Sequence, residues 1–498
     1  MRCALCTSYV KCTFVNTSPS ANAVAPAPNA GRQNAIVVVL AFAGITAAIT
    51  QTLVVPLIGA LPRLLDTTAS NAAWVVTATL LTAAVATPVS GRLGDLYGKR
   101  RVMLACSSLL IVGSVVCALS STVAPMIVGR GLQGVGMGII PLGISALRDL
   151  LPSERLGTAI AVMSASMGVG GALGLPLSAT IAENYEWRGL FWVATALAVL
   201  VGTLIFCLVP ATPVTASGRF DPVGAVGLGA GLVCLLLAVS KGADWGWGST
   251  ETVGLLAAAV VILLTWGWFE LRCAYPLVDL RVTARPVVLL TNSASVVVGF
   301  AMYAQSLIIP QLLQLPEETG YGLGQSMIKM GLWMLPGGLT MMAVSPAGAR
   351  LSRAFGPKIT LAFGAAVVAV GYVMAVALMG STWGLLVAVC VCSGGVGFAY
   401  GAMPALIMGS VPLSETGSAN SFNTLMRSVG TTIAGAVVGV VLAEMTTDFG
   451  GHVLPSESGF KAGLLIGAGV ALVAALIALA IPSRASADAE DRLAHTAA

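Results

Sequence analysis

Apolar positions run along this chain almost unbroken for about twenty residues at a time, with short polar stretches between the runs. A helix needs about 20 apolar residues to cross a bilayer core of about 30 Å. Windows of that kind lie near 35–61, 70–90, 102–120, 124–147, 157–182, 189–209, 222–240, 252–269, 287–312, 325–347, 359–379, 384–409, 417–443 and 461–482, which predicts fourteen membrane-spanning helices. Residues 359–414 contain no charged side chain. As one helix they would measure roughly 84 Å, so a fold-back is expected at Gly380-Ser381-Thr382-Trp383. The runs are continuous and do not alternate with period two, which argues against a transmembrane β-barrel.

Composition agrees with this pattern. Of 498 residues 57% are apolar and 9% charged, against about 25% charged in an average soluble domain. The net charge of +5 is too dilute for a nucleic-acid footprint. The two histidines, His452 and His495, lie far from any cysteine pair, so no metal site is expected. Most of the ten cysteines sit in apolar runs or in the first twelve residues and read as packing residues. The segment before Gly31 is rich in Ala, Ser, Pro and Asn and is expected to be disordered, with Cys3 and Cys6 in a CxxC spacing that leaves a metal-binding alternative open.

Basic residues stay on the cytoplasmic side of membrane proteins. With the N-terminus inside, cytoplasmic segments hold 18 Lys and Arg and the other face four: Arg63, Arg188, Lys241 and Lys461. Three more, Arg130, Lys329 and Arg427, fall within spans. The imbalance predicts cytoplasmic termini on a multi-pass protein of the cell membrane. Lys329, near a helix start, is placed to snorkel to the surface, and Trp245 and Trp247 suit an interfacial belt.

The chain also repeats itself. GRLGDLYGKRR (91–101) joins helices 2 and 3, and ARLSRAFGPK (349–358) joins helices 10 and 11 with matching Arg-Leu, aromatic-Gly and basic positions; Gly98 and Gly356 differ by 258. PSERLGTA (152–159) matches LSETGSA (413–419), setting Gly157 opposite Gly417. Gly170 and Gly174 likewise fall opposite Gly430 and Ala434 at an offset of 260. Two motifs at nearly one offset imply a duplicated six-helix unit, as transporters commonly show. The expected organisation is a tail over 1–34, a six-helix bundle over 35–209, a linker with inserted helices 7 and 8 over 210–286, a second bundle over 287–482, and a tail over 483–498.

These residues resemble the major facilitator superfamily, and within it the fourteen-helix drug/proton antiporter branch. GRLGDLYGKRR is similar to the family's loop between helices 2 and 3, VGRGLQGVGMG (128–138) to its helix 4 motif, and MGVGGALGLP (167–176) more loosely to its helix 5 antiporter motif, with Pro176 standing further along than usual. IPQLLQ (309–314) and GLWMLPGG (331–338) are similar to the branch's helices 9 and 10. The resemblance covers about 35–482. It implies an all-α integral membrane fold of two six-helix bundles plus two inserted helices, and a non-enzymatic secondary transporter working by alternating access. The skew of 19 Arg to 6 Lys is what GC-rich coding gives, as in actinobacteria, whose members export antibiotics.

Gly91 and Gly98 permit a tight connection, and Asp95 is expected at the positive N-terminal end of helix 13 as a gate latch; the alternative is that Lys99, Arg100 and Arg101 serve topology alone. An intramembrane guanidinium costs several kcal/mol unless paired or hydrated, so Arg130, with Gln133 and Gly134, is either a coupling group or a structural anchor on helix 1 groups such as Thr46 and Thr50. Gly170 and Gly174 share a face that allows close helix packing. A central cavity is expected to be lined by Gln51, Thr52, Tyr303, Gln305, Gln311, Asn420, Asn423 and Arg427, a set suited to a neutral or anionic amphipathic ligand. Relatives in this branch often carry an aspartate in helix 1 where this chain has Leu53, and none of the 20 acidic residues falls in the middle of a span. That leaves Asp66, Glu444 and Asp95 as coupling alternatives.

A membrane enzyme would need clustered His, Asp or Glu, and no GxxxxGK[ST] segment supports an ATP-driven pump. The leading expectation is a monomeric, proton-driven exporter of small amphipathic drugs, antibiotics or secondary metabolites, embedded in lipid, without cofactor or nucleic acid. A metabolite importer and a non-transporting membrane sensor or scaffold stay open.

Overall fold

A computed structural model describes residues 30–482 apart from 55, 56, 58, 59, 213, 215, 217, 450 and 451. The cysteine-bearing N-terminal tail and the C-terminal tail lie outside the described residues. Fourteen of the described helices are long and apolar enough to cross a membrane. In chain order they are α1 (Ala30–Thr52), α2 (Ala69–Tyr97), α3 (Lys99–Leu119), α4 (Val123–Leu150), α5 (Ser153–Asn184), α6 (Gly189–Leu208), α7 (Pro222–Trp245) and α8 (Thr250–Glu270), then α9 (Pro286–Gln314), α10 (Met327–Phe355), α11 (Pro357–Ala377), α12 (Thr382–Ser410), α13 (Thr416–Glu444) and α14 (Glu457–Ala480).

Local chemistry sets the ends of these helices. Thr68, Asp221, Ser249, Ser326, Ser381 and Ser456 each turn a side-chain oxygen onto a backbone N–H of the helix that follows, the usual way to satisfy donors with no intrahelical partner. The fold-back in the charge-free stretch falls where expected, with α11 ending at Ala377 and Ser381 capping α12. Two expected boundaries need correction. The apolar window to 61 overruns α1, which ends at Thr52 before a turn and the short helix Leu61–Leu64, with Pro62 in its first turn. The segments 91–101 and 349–358 are not loops: α2 and α10 continue to Tyr97 and Phe355, and single glycines separate them from α3 and α11. Gly98 (φ 92°) and Gly356 (φ 87°) take a backbone conformation that side-chain-bearing residues rarely adopt, so each breaks its helix in one residue. Within α4 the helix lapses at Met137–Gly138, because Pro141 has no N–H to give the carbonyl four residues earlier.

Helices α1 to α6 pack among themselves, as do α9 to α14, and the two groups meet chiefly where α5 lies along α10 and α2 along α13. The inserted pair is peripheral: α7 touches α2 and α13, and α8 packs against α7. A small antiparallel hairpin, β1 (Thr446–Phe449) with β2 (His452–Pro455), lies between α13 and α14 and was not expected from the hydropathy pattern. The Tyr321 hydroxyl donates to Pro455 O (2.6 Å), tying the hairpin to the connection before α10.

Close approach of α5 is paid for in glycine. A Cβ at Gly170 would press on Ile45 O and lie 2.7 Å from the Ala48 Cβ, and one at Gly174 would meet the Thr52 hydroxyl. On its other side α5 meets α10, where a Cβ at Gly331 would lie 2.9 Å from Pro176 N. A Cβ at Gly171, by contrast, meets nothing within 4 Å. Overpacking costs about 1–3 kcal/mol, so Gly170→Val is expected to lower the thermal midpoint of the purified protein well below that of Gly171→Val. Equal midpoints for the two variants would show that α1 and α5 do not depend on this contact.

Candidate functional site

The C-terminal turns of α2 carry Asp95 to the start of α13. The first N–H groups of a helix have no intrahelical acceptor, and here Asp95 supplies one from the other bundle: Oδ1 accepts from Gly417 N (3.0 Å) and Oδ2 from Ser418 N (2.8 Å). Asp95 is completely buried. A carboxylate in this position gains charge-assisted hydrogen bonds and the favourable end of the helix dipole. The approach needs glycine on both helices. A Cβ at Gly91 would meet Ser421 and lie 2.5 Å from Gly417 O, and one at Gly417 would lie 2.6 Å from Asp95 Oδ1.

Charged neighbours surround this cap. Lys99, also fully buried, places Nζ 2.6 Å from Asp149 Oδ2 and 3.9 Å from Asp95 Oδ1. Arg148 donates to the Thr416 hydroxyl (3.0 Å) beside the same helix start. Ser418 Oγ donates to Leu277 O (2.9 Å) in the segment after α8. Gly98 is buried under Thr212, whose hydroxyl accepts from Arg100 N (3.2 Å). The Arg100 guanidinium donates to Phe206 O and lies over the Phe206 ring, and Arg101 is exposed. So Gly91, Asp95 and Lys99 are brought together at the bundle contact, whereas Gly98 sits against Thr212, Arg100 holds α6 and Arg101 faces outward. Asp149, Arg148, Ser418 and Leu277 were not singled out from sequence. The adjacent Arg148-Asp149 pair at the end of span 4 was the one available signal.

The repeat does not copy the cap. At the repeat offset, Arg353 stands in place of Asp95 and Gly157 in place of Gly417. A Cβ at Gly157 would meet nothing within 4 Å. Here a cleft of about 550 Å³ opens between α1, the start of α5 and Arg353, with Gln33, Asn34, Glu154 and Arg155 on its walls.

Arg130 is buried in the first bundle. Its Nε donates to Val75 O (3.2 Å), and Nη1 donates to Thr50 O (3.0 Å) and Gln133 Oε1 (2.7 Å). Gln133 in turn donates to Ser114 Oγ (2.8 Å). The network thus joins α4 to α1, α2 and α3. Two backbone carbonyls and the Gln133 amide oxygen accept from the guanidinium, and among the described residues no carboxylate pairs with it. The helix 1 partner is the Thr50 carbonyl, while Thr46 Oγ1 has no partner. Gly134 lets α2 approach, since a Cβ there would press on Thr79 O and lie 3.1 Å from Ala83 N.

The eight residues expected around a central cavity differ in their exposure. Gln51 and Gln311 are exposed, and Thr52 and Tyr303 half-buried. The other four are buried at helix contacts, a correction to their expected placement. Asn420 Nδ2 donates to Pro141 O (2.9 Å), Asn423 Nδ2 to Asn292 Oδ1 (2.9 Å) and Ser295 Oγ (2.7 Å), and the Arg427 guanidinium lies 4.4 Å from the centre of the Tyr400 ring. Gln305 is buried on α9. Burial within the bilayer favours such pairing, because lipid offers these amides no partner. Leu53 is buried and its carbonyl accepts from Ser178 Oγ. Asp66 and Glu444 are exposed. Lys329, Trp245 and Trp247 are exposed as well.

Comparison with known proteins places this architecture. The sequence profile described as Major Facilitator Superfamily matches residues 40–435 and 294–496. An uncharacterized MFS-type transporter of Mycobacterium tuberculosis is 31% identical over 435 residues, 86% of this chain; the alignment spans 62% of that relative's length, less than two thirds of it. The tetracenomycin C resistance and export protein of Streptomyces glaucescens is 28% identical over 455 residues, covering 88% of this chain and 81% of its own. Multidrug resistance protein Stp of Mycobacterium tuberculosis is 29% identical over 373 residues, 74% of this chain and 68% of its own. Among solved structures, the human organic anion transporter MFSD10 (TETRAN) superposes with a TM-score of 0.63 at 17% identity, covering 90% of this chain and 99% of that chain. The proton:xylose symporter XylE gives 0.62 at 14% identity, covering 90% and 95%. These two share the fold. With its profile match across most of its length, the chain belongs to the Major Facilitator Superfamily of membrane transporters.

Proposed function

We propose that this protein exports small amphipathic compounds, antibiotics among them, across the cell membrane by alternating access driven by the proton gradient, with both termini in the cytoplasm. The observation that carries the reading is the cap of Asp95 on α13. It joins the two bundles at the end rich in basic residues, where an alternating transporter has to close and reopen. Rocking one bundle against the other breaks both hydrogen bonds at once, so the cap acts as a latch on the cytoplasmic side. Relatives named for multidrug resistance and tetracenomycin export support the direction and the substrate class. The neutral Gln51, Thr52, Tyr303 and Gln311, left exposed or half-buried, suit neutral or anionic amphipaths better than a bare cation.

Three outcomes are expected. In an efflux-deficient host, expression lowers the accumulation of some amphipathic compounds in a broad panel, and collapsing the proton gradient removes the effect. A panel without any gradient-dependent movement would sink the export reading. Asp95→Asn keeps one acceptor oxygen and loses the charge. Hydrogen bonds to charged groups contribute about 1.5–3 kcal/mol, so transport in inverted vesicles should fall about tenfold or more while membrane insertion is unchanged. Normal transport by this variant would remove the latch. Arg130→Lys retains the charge but not the planar fork that reaches three acceptors. Its turnover should drop more than its expression, and a variant that loses only expression would make Arg130 a structural anchor.

A further inference from the structure

The inserted helices bring two carboxyl groups together away from the Asp95 cap. Asp221 precedes α7 and its Oδ1 accepts from Gly224 N (2.9 Å), while Glu270 closes α8 and its Oε2 accepts from Leu277 N (3.1 Å). Their exposures are 8% and 2%. A Cβ at Gly224 would lie 2.5 Å from Asp221 Oδ2 and 2.6 Å from Glu270 Oε1. Those two oxygens are therefore no farther apart than the sum of these distances. Glu270 Oε1 makes no hydrogen bond of good geometry, although the indole N–H of Trp266, one turn earlier, is close enough to act on the same carboxyl. Among the described residues, no Lys or Arg forms an ion pair with either carboxyl.

Most of the surrounding charges are engaged elsewhere, and Arg219, two residues before Asp221, is exposed and forms no ion pair with it. After α8, Arg272 stacks on the Trp268 ring, Arg281 donates to Leu271 O (2.7 Å), Asp279 accepts from Arg281 N (2.8 Å), and Arg285 donates to Ser410 O (3.2 Å). Arg92 on α2 and Glu415 before α13 act on each other, and Asp95 caps α13. Cys273 Sγ donates to Asp221 Oδ2 (3.5 Å); burial and the two nearby carboxyls push its thiol up, so it stays a proton donor. Two ionised carboxylates this close, shielded from water and without a cation, repel strongly, and one proton removes the repulsion.

We propose that Asp221 and Glu270 form a proton-binding pair whose single shared proton holds the 271–279 connection against the start of α13, and whose release frees that helix end. The step is a proton transfer alone: an O–H bond forms on Glu270 Oε1 with a proton taken from water and breaks by returning it. The route to the cap is continuous. Glu270 Oε2 holds Leu277 N, Leu277 O holds Ser418 Oγ, and Ser418 N holds Asp95 Oδ2. Ionising both carboxyls drives Glu270 from Asp221, drags Leu277, and loosens Ser418. This inference stands on the fold and does not need transport, so its test is separate from that of the export reading.

The test uses the full-length protein in lipid nanodiscs. After correction for intrinsic rates, hydrogen exchange in peptides covering 274–280 and 413–420 should speed up about tenfold or more as pH rises from mildly acidic to mildly alkaline. Glu270→Gln, which mimics the protonated acid, should keep both peptides protected at every pH. Infrared spectroscopy of the wild type at neutral pH should show a protonated-carboxyl C=O band that Asp221→Asn shifts. Exchange independent of pH in the wild type would overturn the proposal, as would a wild-type pH response in Glu270→Gln. Should that variant fail to fold, the absence of a protonated-carboxyl band in the wild type, or its indifference to Asp221→Asn, overturns it equally.

Discussion

A carboxyl group without any exposed surface is tolerable only where donors surround it, and the donors around Asp95 belong to the other half of the molecule. Much of the local structure follows from that constraint. Gly91 and Gly417 are glycines because any Cβ at either would push the carboxyl off its donors. Lys99 is drawn into the interior one turn beyond and is balanced there by Asp149. Ser418 completes its bonding outward to Leu277, which brings the segment after α8 into the same assembly. A contact made of helix-end N–H groups and one carboxyl is also reversible. Water can replace the protein donors once the bundles separate, whereas a greasy interface of equal strength would expose apolar surface.

Arg130 meets the same constraint inside one bundle. Its desolvation, several kcal/mol for a guanidinium in hydrocarbon, is offset by carbonyls of Val75 and Thr50 and by Gln133, on three different helices. Because the acceptors are carbonyls and an amide, the group can stay charged without a titratable partner. Asn423 with Asn292 and Ser295 is a weaker example. Interhelical hydrogen bonds of that kind contribute about 0.6 to 2 kcal/mol in membranes, enough to fix helix register and too little to move a bundle.

The helices and their number are legible in the sequence because the bilayer imposes a length that hydropathy reads directly. Their ends are less so. The apolar run past Thr52 looks like more of α1, since hydropathy does not see the turn at Leu53 and Val54. The polar run from Gly91 to Tyr97 looks like a loop, since a buried helix end satisfied from another bundle can afford charge. Asp95 was identifiable from its spacing between two glycines. Asp149, Leu277 and the Asp221–Glu270 approach were not, because their partners lie 50, 141 or roughly 49 positions away and no local pattern registers them. Asn420 and Asn423 show the converse: a polar residue in a span announces that it needs a partner, but not whether the partner is a ligand or Pro141 and Asn292.

The duplication makes the remaining asymmetry informative. Two copies of one unit start with equal chances of a cap on each side, α2 onto α13 and α10 onto α5. At the second site Arg353, in the last turn of α10, is a cation that the N-terminal dipole of α5 would disfavour, and Glu154 in the first turn of α5 takes the favourable position locally. The expected result is separation at that point, and a cleft of about 550 Å³ lies there. Below it α5 and α10 still touch through Pro176 and Gly331 and through Gly168 and Met341. One side of the basic end is therefore pinned by hydrogen bonds, while among the described residues the other is held by packing further along. If the bundles rock, as the proposed function requires, the Asp95 cap and the Arg148–Thr416 and Asn420–Pro141 bonds beside it have to break for this end to open. The second site has already lost the group that would oppose it.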